Sequence, residues 1–189
     1  MMVHGLTPAR KAPAPSDQAE SRPALSRPTA PFLVGHGYDI HRLEKNPGKL
    51  VLAGVLVTEE ISVVAHSDGD VIYHAIVDAI LGALGAGDIG ELFPDTDPKW
   101  KAAASDVFVQ ESLARARLAG YRVSNVDVSL LLERPKISAH KSQMIDNIRR
   151  LLEPVAVVNL KAGTNEQCDA IGRREAVAAH AVVLLAAQR

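Results

Sequence analysis

Apolar and polar positions along the chain follow the two-residue period of a β-strand in several short stretches. Residues 32–41 alternate in this way and predict the first strand. A second β-rich stretch, 49–57, contains Gly54 at a position suited to a tight turn or a bulge. Residues 121–132 predict a further strand with one apolar face, and residues 155–161 predict a short buried strand.

Other stretches carry apolar residues at the spacing of helical turns. Gly85 and Gly87 can end the first of them, and Ser105 is a candidate N-cap for the second, which Gly120 can end. The last stretch is apolar almost all round except at His180, which predicts a helix buried on several sides. The predicted helices cover residues 68–84, 105–118, 138–152 and 173–187. Strands that alternate with helices predict an α/β or α+β layered domain.

Composition divides the chain near residue 32. Six of the eleven prolines precede that position, and few large apolar residues accompany them. Such a segment cannot bury enough apolar surface to offset its ordering entropy, so residues 1–31 are expected to form a disordered tail and residues 32–189 the folded domain. The Arg, Ser and Ala content of the tail leaves a plastid address as the minor alternative to a cytoplasmic location, while Asp17 and Glu20 speak against it.

Charge and cysteine content exclude several classes of function. The 21 basic and 22 acidic side chains give a net charge of −1, which argues against a nucleic-acid partner. Cys168 is the single cysteine, so neither a disulfide framework nor a multi-cysteine zinc module can form within the chain. No run of 18 uncharged apolar residues occurs, so no membrane-spanning segment is expected.

Three residues suggest a metal site. Asp39 and His41 are two positions apart on the first predicted strand, so both side chains point to one face and could bind Zn²⁺. The alternative for this pair is the polar, solvent-facing side of an edge strand. His74 shares a helix face with Asp70 and Asp78, which could orient it as a third ligand; alternatively, it is a half-exposed histidine with ordinary ion-pair partners. Three protein ligands and an open fourth position would make a catalytic type of zinc site.

The segments that flank this helix could bind a polar ligand. His66 and Ser67 precede it and could form an anion site, although Ser67 or Asp68 could also serve simply as the N-cap. The loop 87–97 is rich in carboxylates that could accept hydrogen bonds from polyol hydroxyls. A solvated turn is the alternative for this loop.

The segment 163–166, with Arg173 soon after it, could bind a phosphate or a base. Small polar residues there allow a close approach of the backbone to a ligand. Glu166 could hold Mg²⁺, and Arg173 offers a bidentate fork for phosphate oxygens. The residue types alone leave open the alternative of a loop before a capped helix, with Arg173 and Arg174 exposed.

The combination of these motifs is more specific than any one of them. In order along the chain they are Gly35-His36-Gly37-Tyr38-Asp39-Ile40-His41, Ala65-His66-Ser67-Asp68-Gly69-Asp70, His74, Gly87-Asp88-Ile89-Gly90, Phe93-Pro94-Asp95-Thr96-Asp97, Pro135-Lys136 and Gly172-Arg173. Together they resemble the 2-C-methyl-D-erythritol 2,4-cyclodiphosphate synthase family of non-mevalonate isoprenoid biosynthesis. The resemblance covers about residue 33 to the end of the sequence.

This resemblance implies a mixed β-sheet packed on one side by helices, in a homotrimer whose active sites lie between subunits. It also implies one Zn²⁺ per site and a second divalent ion, Mg²⁺ or Mn²⁺. Asp39, His41 and His74 match the zinc ligands, and Glu166 matches the ligand of the second ion. The positions that match substrate contacts are His66, Ser67 and Arg173 for the phosphates, Asp88 and Gly90 for the erythritol hydroxyls, Phe93, Asp95 and Asp97 for the loop that shapes this pocket, and Leu132, Pro135, Lys136, Ile137, Gly163 and Thr164 for the wall around the cytosine nucleotide.

The implied reaction is a metal-dependent cyclisation. The 2-phosphate of 4-diphosphocytidyl-2-C-methyl-D-erythritol 2-phosphate attacks the β-phosphorus of the diphosphate and releases CMP. A metal-dependent phosphohydrolase and a non-catalytic, metal-stabilised trimeric binding module are the alternatives. Association with the cytidylyltransferase of the same pathway is an open expectation. One departure from the family pattern is Gly163-Thr164, where a Thr-Thr pair is common, which removes a hydroxyl from the base pocket.

Overall fold

The computed structural model describes residues 30–65, 67–94, 96–97, 100, 103–152 and 156–188. The strands in this part of the chain are β1 (Phe32–Glu44), β2 (Leu50–Leu52), β3 (Val55–Thr58), β4 (Ser62–Val64), β5 (Tyr121–Leu131), β6 (Val157–Gly163) and β7 (Ala176–Ala187). The helices are α1 (Val71–Leu84), α2 (Ile89–Leu92), α3 (Ser105–Leu118), α4 (Lys141–Leu151) and α5 (Asp169–Gly172). All but two residues of the tail predicted from the sequence, 1–31, lie outside the described residues. Within the described residues, no helix is both long and apolar enough to span a membrane.

Five of the strands form one mixed sheet in the order β4-β1-β7-β5-β6. β1 pairs antiparallel with β4 and β7, β7 pairs antiparallel with β5, and β5 pairs parallel with β6. β2 and β3 form a separate antiparallel hairpin. The predicted layered α+β domain with a mixed sheet is therefore confirmed.

The closest contact between the sheet and a helix is made by β1 and α1. A Cβ atom added to Gly35 would lie 1.8 Å from the carbonyl oxygen of Ala79, and one added to Gly37 would lie 2.0 Å from that of Ala75. Only glycine fits at these two positions because the helix backbone occupies the space of a side chain. The packing fixes α1 against the strand that carries Asp39.

The opposite face of the sheet is much less covered. The large apolar side chains of Phe32, Val34, Tyr38 and Ile40 on β1, and of Val182 on β7, are all exposed. Among the described elements, α5 covers only the end of this face, where Ile171 packs with Ala178. A row of exposed apolar residues along central strands is typical of a surface that binds another protein chain.

The prediction of a helix over residues 173–187 is wrong. This segment is the strand β7, which begins at Ala176 and lies between β1 and β5 in the middle of the sheet. Inward-facing positions such as Val177 and Val183 are fully buried, and most of the intervening positions are apolar as well. A central strand with apolar residues on both faces has no alternation, so its sequence cannot be distinguished from a buried helix by period alone.

Smaller differences concern the ends of elements. α1 and α4 begin three residues later than predicted, at Val71 and Lys141. The strand predicted at 155–161 is β6, an edge strand on which Val157 is 63% exposed rather than buried; Val155 lies outside the described residues. Ser105 is not an N-cap, because α3 is capped at Ala104 and Ser105 is its first residue.

Candidate active site

Three predicted metal ligands meet between β1 and α1. Asp39 and His41 point from β1 towards the helix layer, and His74 lies in the first turns of α1, almost completely buried. One ligand atom from each residue lies within 4.8 Å of the others. The Oδ2 atom of Asp39 is 3.0 Å from Nδ1 of His74 and 3.3 Å from Nε2 of His41. The structure therefore brings together the two elements and the three side chains that the sequence singled out.

The start of α1 sets the position of His74 and is fixed by Asp70. This fully buried carboxylate is the N-cap, and it accepts hydrogen bonds from the backbone N–H groups of Ile72 and Tyr73. It also accepts hydrogen bonds of 2.9 and 2.8 Å from the backbone N–H groups of Ala53 and Gly54. These bonds join the turn of the β2–β3 hairpin to the start of α1. Burial raises the pKa of Asp70 to about 6, although the accepted hydrogen bonds act in the opposite direction.

Two expectations about this region are therefore wrong. The N-cap of α1 is Asp70 rather than Ser67 or Asp68. Asp70 and Asp78 do not orient His74, because Asp78 accepts a hydrogen bond of 2.8 Å from the backbone N–H of Ile89 and so holds the start of α2. Both carboxylates stabilise the backbone around the site instead of contacting the imidazole.

The three ligand side chains perturb one another electrostatically. Burial acts to raise the pKa of Asp39, but the hydrogen bond with His74 and the nearby imidazoles outweigh it and lower this pKa. Burial acts to lower the pKa of His74, but Asp39 outweighs it and the pKa is raised. The pKa of His41 is lowered because burial disfavours its charged form more than Asp39 favours it. Asp39 is thus held ionised and His41 neutral at neutral pH, which are the forms that bind metal.

The donor set fits a borderline metal ion such as zinc. The Nε2 atom of His41 is buried and makes no hydrogen bond with the described residues, although it lies 3.3 Å from the Asp39 oxygen that His74 also contacts. A buried imidazole nitrogen without a partner is costly unless a ligand completes its bonding. Two imidazoles and one carboxylate at the distances of this cluster are a common catalytic zinc set.

The far side of the His74 ring contacts polar groups that sequence reasoning missed. Nε2 of His74 lies 2.9 Å from Oγ of Ser105 and 3.2 Å from Oγ of Ser67. Ser105 in turn donates its hydroxyl to the carboxylate of Asp68. The sequence predicts Ser105 only as a helix cap, and no local pattern reveals a contact between residues 31 positions apart.

The carboxylate-rich loop has clear structural roles. Asp88 caps α2 through the backbone N–H of Glu91 at 2.8 Å, and Gly90 lies within this short helix. Phe93 is buried, with its ring centroid 4.7 Å from that of Phe108. The backbone N–H of Asp97 donates to the carbonyl of Pro94, which closes a turn. Two further predicted contacts, His66 and Asp95, lie outside the described residues.

A second concave site lies where β5 and β6 end. Its volume is about 350 Å³, and it is open to solvent on one side. All six residues predicted for the nucleotide wall line it, namely Leu132, Pro135, Lys136, Ile137, Gly163 and Thr164. A Cβ atom added to Gly163 would meet no atom within 4 Å, so the absent side chain widens this cavity.

Glu166 only adjoins the second cavity, through Thr164, and Arg173 lies at neither site within the described residues. The Glu166 carboxylate accepts a hydrogen bond of 2.8 Å from Oγ1 of Thr164, and the Arg173 guanidinium pairs with Glu175 at 3.0 Å on the surface. Neither residue belongs to the metal cluster or lines the second cavity.

The metal cluster and the cavity lie at one end of the sheet but on different strands. Leu131 at the end of β5 pairs with Ala178 of β7, which pairs with Ile40 of β1. The cavity lies at the ends of β5 and β6, which are the second and third strands from β1 in the sheet, so roughly 10–14 Å separates the two sites. Within the described residues, none of the three candidate metal ligands lines this cavity.

Three ligands that leave a coordination position open are typical of catalytic rather than structural metal sites, so the fold and the three side chains point to an α+β enzyme with a candidate metal site. Comparison with known proteins narrows this class. The chain matches the model of the YgbB family over residues 32–186, and it belongs to that family.

Two of the curated relatives carry the same name. The 2-C-methyl-D-erythritol 2,4-cyclodiphosphate synthase of Arabidopsis thaliana, named as chloroplastic, is 52% identical over 160 residues, which cover 83% of this chain and 68% of the relative. The synthase of the same name from Proteus mirabilis is 46% identical over 153 residues, covering 80% of this chain and 95% of the relative.

Solved structures agree with these relatives. The bifunctional IspDF from Campylobacter jejuni superposes with a TM-score of 0.77 at 39% identity, over 82% of this chain and 42% of that one. IspF from Plasmodium falciparum, in a complex with CDP, superposes with a TM-score of 0.73 at 34% identity, over 84% of this chain and 97% of that one.

Proposed function

We infer that this chain converts 4-diphosphocytidyl-2-C-methyl-D-erythritol 2-phosphate to 2-C-methyl-D-erythritol 2,4-cyclodiphosphate and CMP, in non-mevalonate isoprenoid biosynthesis. The observation that carries this function is the convergence of Asp39, His41 and His74 in a chain that is half identical to synthases of that name. An oxygen of the 2-phosphate attacks the β-phosphorus, the bond from that phosphorus to the bridging oxygen breaks, and CMP leaves with the bridging oxygen. Such a transfer within one molecule needs no nucleophile from the protein.

We assign Zn²⁺ to Asp39, His41 and His74, and a second divalent ion, Mg²⁺ or Mn²⁺, to Glu166. When bound, these ions supply Lewis-acid polarisation of the phosphate oxygens and neutralise their charge. Two neutral imidazoles and one carboxylate leave a net positive zinc site, which suits a highly anionic substrate. The Glu166 carboxylate is exposed and accepts a hydrogen bond from the Thr164 hydroxyl, which leaves oxygen lone pairs for a hard cation.

The chain itself contributes chiefly by holding the substrate in a folded geometry. In our assignment, the Lys136 ammonium and the walls of the 350 Å³ cavity bind the cytidine nucleotide. The Asp88 carboxylate accepts hydrogen bonds from the erythritol hydroxyls. The phosphates are bound by His66, Ser67 and Arg173, and the pocket is shaped by Gly90, Phe93, Asp95 and Asp97. Orientation of this kind can lower a ring-closing barrier by about 7–11 kcal/mol.

We propose that the protein is a homotrimer with active sites between subunits. The exposed apolar face of the sheet supports self-association, because Phe32, Val34 and Ile40 would otherwise remain in water. The separation of the metal cluster from the nucleotide-sized cavity supports a shared site, because a neighbouring chain can supply the half that each chain lacks.

Two further proposals concern partners and location. Association with the cytidylyltransferase of the pathway is supported by the bifunctional IspDF structure and by a Wolbachia relative named as a bifunctional IspD/IspF enzyme. We propose the cytoplasm as the location of the protein. A plastid is the alternative, because the Arabidopsis relative is named as chloroplastic.

Product analysis tests the proposed reaction. The protein is incubated with the cytidyl substrate, Zn²⁺ and Mg²⁺, and CMP release is followed together with ³¹P NMR of the products. We expect equal amounts of CMP and a cyclic diphosphate. An open-chain phosphate would instead identify a phosphohydrolase, and the absence of CMP would identify a binding module.

A further inference from the structure

We propose that Ser105 is a positioning residue for His74, and that with Asp68 it fixes which ring nitrogen of His74 faces the metal. The proposal rests on the metal role of His74 in the proposed function, but not on the reaction that follows. Nothing in the sequence pattern gives Ser105 this role, since its place at the start of α3 predicts only a helix cap.

The contacts around Ser105 form a short chain of hydrogen bonds. Ser105 is completely buried, and its Oγ lies 2.9 Å from Nε2 of His74. The hydroxyl of Ser105 donates to one oxygen of Asp68, and the backbone N–H of Ser105 donates to the other oxygen at 3.0 Å. Two donors from one residue thus hold the Asp68 carboxylate on both of its oxygens.

The number of protons in this chain determines the direction of each hydrogen bond. A serine hydroxyl has one proton, and an ionised carboxylate can only accept. Because the Ser105 hydroxyl donates its proton to Asp68, the Ser105 oxygen can only accept a hydrogen bond from His74. The Nε2 atom of the His74 ring must therefore carry a proton. When a metal ion displaces the proton that Nδ1 donates to Asp39, the Nδ1 lone pair points at the space beside Asp39 Oδ2, where the proposed metal ion lies.

Ser67 is the matched alternative for this role. Its Oγ lies 3.2 Å from the same ring nitrogen, but it accepts the backbone N–H of Gly69 and contacts no carboxylate in the described residues. Its hydroxyl proton is therefore free to turn towards the imidazole or away from it. Ser67 does not impose a direction, whereas the Ser105–Asp68 pair does.

Metal affinity of the full-length protein tests the proposal without any turnover. Zn²⁺ dissociation constants are measured by competition with a chromophoric chelator for the wild type, Ser105→Ala, Ser105→Thr and Ser67→Ala. We expect Ser105→Ala to bind Zn²⁺ about 10–100-fold more weakly, as is usual when the hydrogen-bond partner of a metal-bound histidine is lost. Ser105→Thr keeps the hydroxyl and is expected to restore affinity, and Ser67→Ala is expected to lose less than Ser105→Ala.

A purely structural role would give a different result. If Ser105→Ala binds Zn²⁺ like the wild type, or if Ser105→Thr fails to restore affinity while its metal-free form is as stable as the wild type, the proposal is wrong. The unfolding midpoint of each metal-free variant separates loss of fold from loss of the ligand geometry.

The wild-type protein gives a second measurement that needs no variant. In the ¹⁵N NMR spectrum of the Zn²⁺-loaded protein, the ring of His74 should show its proton on Nε2 and the metal on Nδ1. The reverse assignment would overturn the proposal. A wild-type protein that binds Zn²⁺ with the expected tautomer but forms no cyclic product would overturn the proposed reaction and leave the role of Ser105 intact.

Discussion

The Oδ2 atom of Asp39 lies 3.0 Å from the Nδ1 atom of His74, although 35 positions separate the two residues in the sequence. One belongs to the first strand of the sheet and the other to the first turns of α1. Their proximity depends on the two glycines of β1 that let the helix backbone touch the strand. The three candidate metal ligands therefore meet because α1 packs so closely on β1.

Removal of His74 should abolish metal binding while the fold persists. In His74→Ala one of three ligands is lost, so Zn²⁺ affinity should fall by more than the 10–100-fold expected for a second-sphere partner. CMP release should fall to near background, because the remaining pair of ligands is on one strand. Metal analysis and the CMP assay on the same sample measure both effects.

The control for this variant is His140→Ala. His140 precedes α4 and lies outside the metal cluster, so this change should leave zinc content and turnover near the wild-type values. The ligand assignment fails if His74→Ala retains wild-type zinc content and activity. The proposed trimer should survive in His74→Ala, which size-exclusion chromatography with light scattering can check.

The sign of the pH dependence of stability should differ between the metal-free and the metal-loaded protein. In the metal-free folded protein, Asp39 raises the pKa of His74 above its ordinary value of 6.5. The ion pair between these residues therefore stabilises the fold fully below pH 6.5, and this stabilisation is lost as the pH rises through the pKa of the folded state. The free energy of unfolding should therefore fall above pH 6.5, by at most about 1.4 kcal/mol per pH unit for one proton. With Zn²⁺ bound it should rise instead, because the metal competes with that proton.

Urea unfolding at several pH values from 6.5 to 8.5, with and without Zn²⁺, measures these slopes. Metal-free His74→Ala serves as the control and should show a smaller slope than the metal-free wild type. Equal slopes for the metal-free and loaded wild type would show that no ligand proton is displaced.

The ligand set was predicted from the resemblance to the synthase family, because the residue types alone also allowed a solvent-facing strand and an ordinary ion-paired histidine. The two-residue period does place Asp39 and His41 on one strand face, whereas His74 lies on α1, a helix that is buried on most of its sides. The central strand β7 was mistaken for a helix because burial on both faces removes the alternation that identifies a strand. The link from Ser105 to His74 depends on how α3 packs on α1, which no single segment encodes.

The glycine at position 37 should be required for both stability and metal affinity. An added Cβ would lie 2.0 Å from the carbonyl oxygen of Ala75, so Gly37→Ala must push α1 away from β1. Overpacking of this kind costs about 1–3 kcal/mol. Because His74 moves with α1 and Asp39 stays with β1, Zn²⁺ affinity should fall as well.

The control is Gly82→Ala, at a glycine of α1, the helix that Gly37 contacts. Its added Cβ would be 3.9 Å from its nearest neighbour, the carbonyl oxygen of His36. Alanine is favoured over glycine in a helix interior by about 0.8–1.0 kcal/mol, so this variant should be more stable than the wild type with unchanged Zn²⁺ affinity. Denaturant unfolding and chelator competition compare the two variants, and a Gly37→Ala protein as stable as wild type would contradict the packing argument.

Changes in the second cavity should affect substrate binding more than chemistry. Lys136 and Gly163 line this cavity, which lies two to three strands away from the candidate metal ligands within one chain. The side chains that line a nucleotide site contact the cytidine part of the substrate, whose structure does not change as the ring closes. They therefore bind the ground state and the transition state equally well. Loss of a charged hydrogen-bond donor costs about 1.5–3 kcal/mol, so Lys136→Ala should raise KM about tenfold or more while kcat changes little.

Gly163→Val tests the same wall by filling space instead of removing charge. Since nothing lies within 4 Å of an added Cβ, the larger side chain fits without strain on the fold and projects into the cavity, where it should again raise KM. Arg122→Ala, at the opposite end of β5, serves as the control and should leave KM unchanged. Steady-state CMP release at varied substrate concentration measures both constants. A fall in kcat at unchanged KM would mean that this cavity acts on the reacting phosphates and is not the nucleotide site.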